Sequence, residues 1–130
     1  MHFMLQKEVV DRLSAAPGNG QYGRLSVMVQ YRCEVAPLFN IGPGAFRPQP
    51  KVDSAFVRLT PLAQPAVSVP DEAMLGRVVQ LAFGQRRKTL RNSLRGMVDE
   101  ETLQFVGIDP GLRPEAIPIA DYVSLANALE

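Results

Sequence analysis

The chain has 130 residues, of which 46% are apolar, and its 14 basic and 13 acidic side chains leave a formal net charge of +1. This length and composition are typical of a folded protein with one core, or of two small units that share one, and they exclude a largely disordered chain. The single cysteine, Cys33, excludes an intramolecular disulfide, and the single histidine, His2, lies at the second position of the chain, which argues strongly against a Ser-His-Asp triad or a His-based zinc site.

The N-terminal part of the chain predicts a strand followed by helical segments. Met1–Gln6 is an apolar run and predicts a buried strand, and Lys7–Ala15 follows with helical spacing of its apolar residues. Turn residues at 17–20 break the chain. Arg24–Cys33 comes next, and its apolar pattern fits either a helix or a strand.

Two further strands are predicted before a linker. Glu34–Ile41 predicts a strand that Pro37 pushes toward an edge or a bulge, because proline has no amide hydrogen to donate. Val52–Leu59 alternates between apolar and other residues, so these two strands are expected to form an antiparallel pair. Prolines then mark a linker from Pro61 to Pro70.

The remainder of the chain predicts helices. Asp71 can cap the first of them, and its apolar positions follow the 3.6-residue repeat. Asp99 begins another helix that ends near Gly107, and the last helix has apolar positions at Ile119, Val123, Ala126 and Leu129. No apolar run reaches the roughly 20 residues of a membrane span, and we expect a cytoplasmic location.

Positive charge is concentrated between Gly84 and Gly96. Five of the 14 basic residues lie there: Arg86, Arg87, Lys88, Arg91 and Arg95. If the segment is helical, arginines recur every four residues on one face, while Leu90 and Leu94 face the core. Such a stripe of cations predicts a contact with the phosphates of a nucleic acid.

The alternative interpretation of this segment is an ordinary solvated helix that is neutralised by nearby carboxylates. No acidic residue occurs between Gln85 and Val98, so pairing along the same helix cannot neutralise it. This missing counter-charge favours a nucleic-acid contact over a solvated face.

The segment from Phe46 to Ser54 contains two prolines, which hold Arg47 and Gln49 in extended conformations. A rigidly placed aromatic ring beside a strand end can stack on an unpaired base. From the residues alone, the more common role of an aromatic ring in the core above a strand is favoured for Phe46.

Three blocks of sequence resemble the KsgA-type small-subunit ribosomal RNA adenine dimethyltransferases, and together they cover most of the chain. They are MLQKEVVDRL with YGRLSVMVQY (Met4–Leu13 and Tyr22–Tyr31), FRPQPKVDSAFVRL (Phe46–Leu59) and AFGQRRKTLRNSL (Ala82–Leu94). The segment from Gly107 to Asn127 is similar to the closing segment of that family. Erythromycin-resistance rRNA methyltransferases share the middle blocks and are the nearest alternative.

The resemblance implies an enzyme that uses S-adenosyl-L-methionine to dimethylate N6 of two adjacent adenines near the 3′ end of small-subunit rRNA. It implies that Phe46 packs against the flipped target base and that the basic segment binds the RNA backbone. The partner would be small-subunit rRNA or the 30S particle. The family's glycine-rich cofactor loop and its Asn-Leu-Pro-Tyr motif are not recognised in this chain, which by itself is expected to be inactive.

The resemblance also implies the architecture. We expect an α/β fold in which residues 1–62 form the C-terminal strands and helices of a Rossmann-like methyltransferase domain, and residues 63–130 form a small helical RNA-binding domain. A piece of this kind would leave the edge of the Met1–Gln6 strand unpaired, which predicts dimerisation or strand swapping. A non-enzymatic RNA-binding module and a purely structural helical domain remain alternatives.

Overall fold

The computed structural model describes residues 1–42, 44, 53–62 and 72–129. The described residues form an α/β arrangement of a small sheet and several helices. The strands are β1 (His2–Gln6), β2 (Cys33–Ile41) and β3 (Ser54–Pro61). The helices are α1 (Lys7–Ser14), α2 (Arg24–Gln30), α3 (Glu72–Gly84), α4 (Leu90–Ser93), α5 (Glu100–Phe105) and α6 (Ile119–Ala128). The predicted cap at Asp71 and residues 63–70 of the predicted linker lie outside the described residues.

The three strands form an antiparallel sheet in the order β1-β3-β2. The alternation predicted for β3 is confirmed, since Ala55 and Val57 are 1% and 0% exposed and pack with Val10 of α1. The predicted antiparallel pairing of β2 with β3 is also confirmed. Helix α1 therefore covers one face of the sheet.

Pro37 has the effect on β2 that its chemistry predicts. The pairing of β2 with β3 shifts register between Pro37 and Phe39, and β2 lies at one edge of the sheet. Because proline cannot donate to a neighbouring strand, an irregularity at an edge is the position that tolerates it.

β1 forms as predicted, but the prediction that it is buried is wrong among the described residues. It pairs only with β3, and Met1, Phe3 and Met4 are 61%, 40% and 48% exposed. An apolar run indicates what a strand can bury, while the strand's position in the sheet decides what it does bury. Here that position is an edge.

The ambiguous segment after residue 23 is a helix, α2, and it is joined to α1 by side chains. The Gln30 amide donates to the carbonyl oxygens of Leu13 and Ala15 at 2.6 and 2.9 Å. These carbonyls belong to the end of α1, where no helical amide remains to satisfy them. The two helices thus form one layer against the sheet.

The helical prediction for the second half is largely confirmed. Asp99 caps α5, because its Oδ1 atom accepts a 2.8 Å hydrogen bond from the amide of Thr102, and Gly107 has a φ of +85° just beyond the helix. The main core contains residues of α2, α3, α4, α5 and α6. It therefore includes side chains from both sides of the predicted division at residue 62. Within the described ranges no helix has the length and apolar character needed to cross a membrane.

Candidate nucleic-acid interface

The basic segment is a turn followed by a very short helix, and the continuous helix predicted over residues 86–95 is wrong. Helix α3 ends at Gly84, and the Lys88 amide donates to the Gln85 carbonyl oxygen at 3.0 Å to close a turn. Thr89 is extended and begins α4, which has only four residues. We call residues 85–88 the basic turn.

The basic turn and α4 are fixed to the core by apolar side chains and by backbone bonds. Leu90 and Leu94 are both 0% exposed, as the sequence predicted. The amides of Leu90 and Arg91 donate to the carbonyl oxygens of Leu112 and Pro110 at 2.8 and 3.0 Å. The cations of this region therefore project from an anchored backbone.

Arg86 turns back onto the protein. Its guanidinium donates to the carbonyl oxygen of Tyr22 and lies 5.4 Å from the centroid of the Phe83 ring. Phe83 in turn packs against the rings of Tyr22 and Tyr122, each with a centroid distance of 5.9 Å. This contact ties the basic turn to the loop that precedes α2.

Two of the remaining cations have partners of their own. Arg91 forms an ion pair with Glu100 of α5, so the expectation that this stripe lacks any counter-charge is wrong for Arg91. Arg95 donates to the side-chain oxygen of Asn92 at 3.0 Å. The neutralising carboxylate comes from another helix, which spacing along the segment could not reveal.

Within the described residues, Arg87 and Lys88 are the cations of this segment for which neither a carboxylate nor a hydrogen-bond partner is found. Both are exposed, and the described part of the chain places no carboxylate within ion-pairing distance of either. They lie side by side in the basic turn with their charges open to solvent. An uncompensated pair of this kind can contact successive phosphates.

A cavity that sequence reasoning missed continues the positive surface. It has a volume of about 860 Å³, and it lies where α1, the glycine-containing loop before α2 and the basic turn meet. Arg12, Arg24 and Arg86 line it, with Leu25 and Met28 as apolar walls. Because Arg12 is paired with Glu8 at 2.8 Å, Arg24 and Arg86 supply most of its free positive charge.

The segment Gly18–Gly23 has the G-x-G-x-x-G spacing of a dinucleotide-binding loop. In such loops the glycines follow a strand and open a helix that accepts phosphates. Here the segment joins α1 to α2, and α2 has only seven residues. The spacing is therefore a coincidence of sequence and does not indicate a cofactor site.

Phe46, the residue predicted to stack on the target base, lies outside the described residues, as do Arg47 and Gln49. The flanking strands are described: β2 ends at Ile41 and β3 begins at Ser54, and these two residues are paired. The role of Phe46 therefore stays a prediction.

The chain matches a known protein family over its whole length. A family model described as ribosomal RNA adenine dimethylase matches residues 1–130. The chain is similar to the protein named ribosomal RNA small subunit methyltransferase A from Pseudomonas aeruginosa, with 60% identity over 99% of the chain and 48% of that relative. It is similar to the protein of the same name from Marinobacter nauticus, with 58% identity over 99% of the chain and 47% of that relative. The chain thus spans about half the length of the curated relatives it matches.

Two solved structures share the fold. One is a dimethyladenosine transferase from Plasmodium falciparum, with a TM-score of 0.82 and 22% identity over 95% of this chain and 54% of that one. The other is the 23S rRNA methyltransferase ErmE, with a TM-score of 0.63 and 26% identity over 98% of this chain and 53% of that one.

Proposed function

The chain belongs to the ribosomal RNA adenine dimethylase family, and from that premise we propose that it is the rRNA-binding part of a small-subunit rRNA adenine dimethyltransferase. The whole protein would transfer methyl groups from S-adenosyl-L-methionine to N6 of two adjacent adenines near the 3′ end of small-subunit rRNA. The names of relatives with 60% and 58% identity support the small-subunit target. ErmE, a 23S rRNA methyltransferase with 26% identity, is more distant.

The observation that carries this proposal is the pair Arg87 and Lys88. Both cations are exposed, neither has a carboxylate partner in the described ranges, and the backbone beneath them is fixed by the buried Leu90 and Leu94. An anchored, unneutralised pair of charges is what a contact with a phosphate backbone requires. Arg91, on α4, and Arg95, just beyond its end, would extend this contact, and Arg86 would hold the turn in place while its remaining N–H groups face the RNA.

We assign two tasks to the two parts of the chain. Residues 1–62 would be the C-terminal part of the methyltransferase domain, and residues 63–130 would be the helical RNA-binding domain. Phe46 would stack on the target adenine after that base has left its helix, because an N6 amine inside a base-paired stack is out of reach of a methyl donor. The 30S particle is the proposed setting for this contact.

The residues described here do not fit the methyl donor. The G-x-G-x-x-G segment joins two helices and does not follow a strand, and the described junction of β1 with α1, from Gln6 to Lys7, contains no glycine. We therefore place the S-adenosyl-L-methionine site in the half of the relatives' length that this chain does not span. The chain alone should bind RNA but transfer no methyl group.

Binding to in vitro transcribed 16S rRNA tests this proposal. We expect wild-type affinity to fall steeply with added salt, because binding releases counterions from the phosphates. Arg87→Glu and Lys88→Glu should each weaken binding by about tenfold or more. The control is Arg58→Glu, which makes the same change of charge at an exposed position on β3 and should leave affinity nearly unchanged.

The outcomes separate the alternatives. Salt-independent or absent RNA binding by the wild type would favour a purely structural helical domain. Equal affinity for 16S and 23S rRNA would remove the small-subunit assignment. Calorimetric binding of S-adenosyl-L-methionine to the chain alone would contradict the placement of the donor site elsewhere.

We also propose that the chain self-associates through β1. This strand lies at a sheet edge, and the exposed Phe3 and Met4 give that edge an apolar surface. Exposed strand edges with apolar side chains are common sites of pairing between chains.

A further inference from the structure

A groove between α3 and α4 opens beside the basic turn. It has a volume of about 510 Å³. Its lining residues are Arg77, Gln80, Leu81, Gly84, Gln85, Ser93 and Met97. Leu81, which is 43% exposed, and Met97 make the walls apolar, and Gly84 leaves them open because nothing lies within 4 Å of the position a Cβ atom would take. We call this cavity the α3–α4 groove.

A buried hydroxyl in this groove lacks a partner. Ser93 is 9% exposed, and its hydroxyl oxygen makes no hydrogen bond within the described part of the chain. Its backbone amide is satisfied, since it donates to the Thr89 carbonyl oxygen at 3.0 Å. Because nearly all buried polar groups in proteins find a partner, an orphan hydroxyl that lines a groove indicates a ligand that supplies one.

The polar groups of the groove fit a nucleotide. Gln80 and Gln85 provide amide donors and acceptors, and Arg77 provides a cation that none of the described carboxylates pairs with. Among the described residues, no aspartate or glutamate lines the groove. Apolar walls suit the face of a base, and hydroxyl and amide groups suit its edge.

We propose that the α3–α4 groove binds an unpaired base of the rRNA, one that is held but not methylated. The proposal rests on the proposed RNA-binding function, because Gln85, which lines the groove, belongs to the same turn as Arg87 and Lys88, and those two cations would contact the neighbouring phosphates. A rotation of the Ser93 side chain, which breaks no described hydrogen bond, brings its buried hydroxyl to the edge of the base, and Arg77 contacts the phosphate at the rim. Such a contact gives the basic turn a preference for an unpaired nucleotide, which phosphate contacts alone do not provide.

Two substitutions test the groove without disturbing the core. Gly84→Leu places a side chain in the groove, where space is open, and should weaken binding to 16S rRNA about tenfold. Ser93→Ala removes only the hydroxyl and should weaken binding several-fold while leaving the protein at least as stable, because the hydroxyl has no partner in the free protein. The matched control is Gly76→Leu, on the same helix and equally uncrowded but outside the groove lining, and it should not change affinity.

Chemical probing of base edges in the rRNA completes the test. The wild type should protect one unpaired base that becomes reactive again with Gly84→Leu, while protection of the phosphates near the basic turn persists. Identical footprints and affinities for the wild type, Gly84→Leu and Ser93→Ala would overturn the base site. If Gly84→Leu weakens binding to 30S particles but not to naked rRNA, the occupant is a protein segment, which also overturns it. If the wild type itself binds no rRNA, that result would instead contradict the proposed function.

Discussion

Two buried tyrosines hydrogen-bond the loop before α6. The Tyr22 hydroxyl donates to the Ile117 carbonyl oxygen and the Tyr122 hydroxyl donates to the Pro114 carbonyl oxygen, each at 2.7 Å. Burial raises the pKa of both hydroxyls far above the usual range of tyrosine, because a buried phenolate would lose its hydration. Both groups therefore remain donors at every pH at which the protein would be studied.

Tyr22→Phe should lower the free energy of unfolding by about 1–3 kcal/mol, because it leaves the buried Ile117 carbonyl without its partner. Urea denaturation measures the change. Tyr31→Phe is the control, since the Tyr31 hydroxyl accepts a hydrogen bond from the exposed Arg32 side chain, which water can replace. Equal decreases in the free energy of unfolding for the two variants would show that the buried Tyr22 hydrogen bond stabilises the fold no more than the exposed one of Tyr31.

Asp99 links the stability of α5 to pH. Hydrogen bonds from the Thr102 hydroxyl and then from its amide, at 2.6 and 2.8 Å, lower the pKa of the Asp99 carboxyl below its usual value. A carboxyl whose folded pKa is lowered stabilises the fold above its unfolded pKa of about 4, and that contribution is lost as the pH falls through the folded pKa.

The melting temperature of Asp99→Ala should therefore be lower than that of the wild type at neutral pH, and the difference should shrink as the solution is acidified. Asp99→Asn should keep the cap at neutral pH, because asparagine accepts the same backbone hydrogen bond, but without the acid-dependent loss. Scanning calorimetry at neutral and acid pH makes the comparison. If the difference in melting temperature between the wild type and Asp99→Ala does not change with pH, the Asp99 carboxyl is not the source of the pH dependence.

At the scale of elements, Arg86 determines where the basic turn lies. Its planar guanidinium donates to the Tyr22 carbonyl oxygen while stacking over Phe83. Lysine carries the same charge but lacks the planar fork, so it cannot keep both contacts. The position of Arg87 and Lys88 therefore depends on a neighbouring residue that is itself turned inward.

Arg86→Lys should lower the free energy of unfolding by about 1 kcal/mol through the lost hydrogen bond and stacking. Arg87→Lys is the matched control, because no described contact of Arg87 depends on its guanidinium, and its stability should equal that of the wild type. Urea denaturation of both variants tests this, and equal stabilities would show that Arg86 does not anchor the turn.

The sequence predicted some elements because their causes are local. Proline at position 37 lacks an amide hydrogen, so an irregular edge strand could be foreseen, and Asp99 lies where a helix cap is needed. The basic segment was misjudged because arginine, lysine and leucine all favour helices, which hid the break at Thr89.

The ion pair of Arg91 with Glu100 was missed for a different reason. Its carboxylate belongs to α5 and comes close only after the helices pack. The orphan hydroxyl of Ser93 and the α3–α4 groove are likewise properties of packing, which spacing along the chain does not encode. The sequence thus showed where the positive charges are concentrated. Which of those side chains have an ion-pair partner depends on how the helices pack.

At the scale of the molecule, one core joins the two predicted parts. Tyr22 and Val27, from the first 62 residues, pack in the same cluster as Leu75, Leu90 and Tyr122 from the rest. The shared core fixes the basic turn relative to α2, and α2 contacts both α1 and β2, so the turn also has a fixed position relative to the sheet. An RNA held at the turn would therefore keep a constant position relative to β2 and β3, which flank the segment that contains Phe46.

Among the described residues, the sheet has one covered and one open face. α1 packs against the face that carries Ala55 and Val57. On the opposite face, Met4, Phe56 and Phe39 stand in register across the three strands, and the two rings are 4.9 Å apart. Met4 and Phe39 are 48% and 57% exposed. This apolar row ends at the unpaired edge of β1, so pairing of two β1 strands would extend both the ladder and the row.

Met4→Lys should therefore suppress self-association, because a charge on an edge strand opposes its pairing with another strand and interrupts the apolar row. Sedimentation velocity across a wide range of protein concentrations measures the effect. Phe105→Lys is the control: Phe105 is 86% exposed at the end of α5, away from the sheet, so its replacement removes apolar surface without touching β1. If both variants reduce association equally, general hydrophobicity is responsible, and a wild type that stays monomeric at high concentration means that the β1 edge does not pair at all.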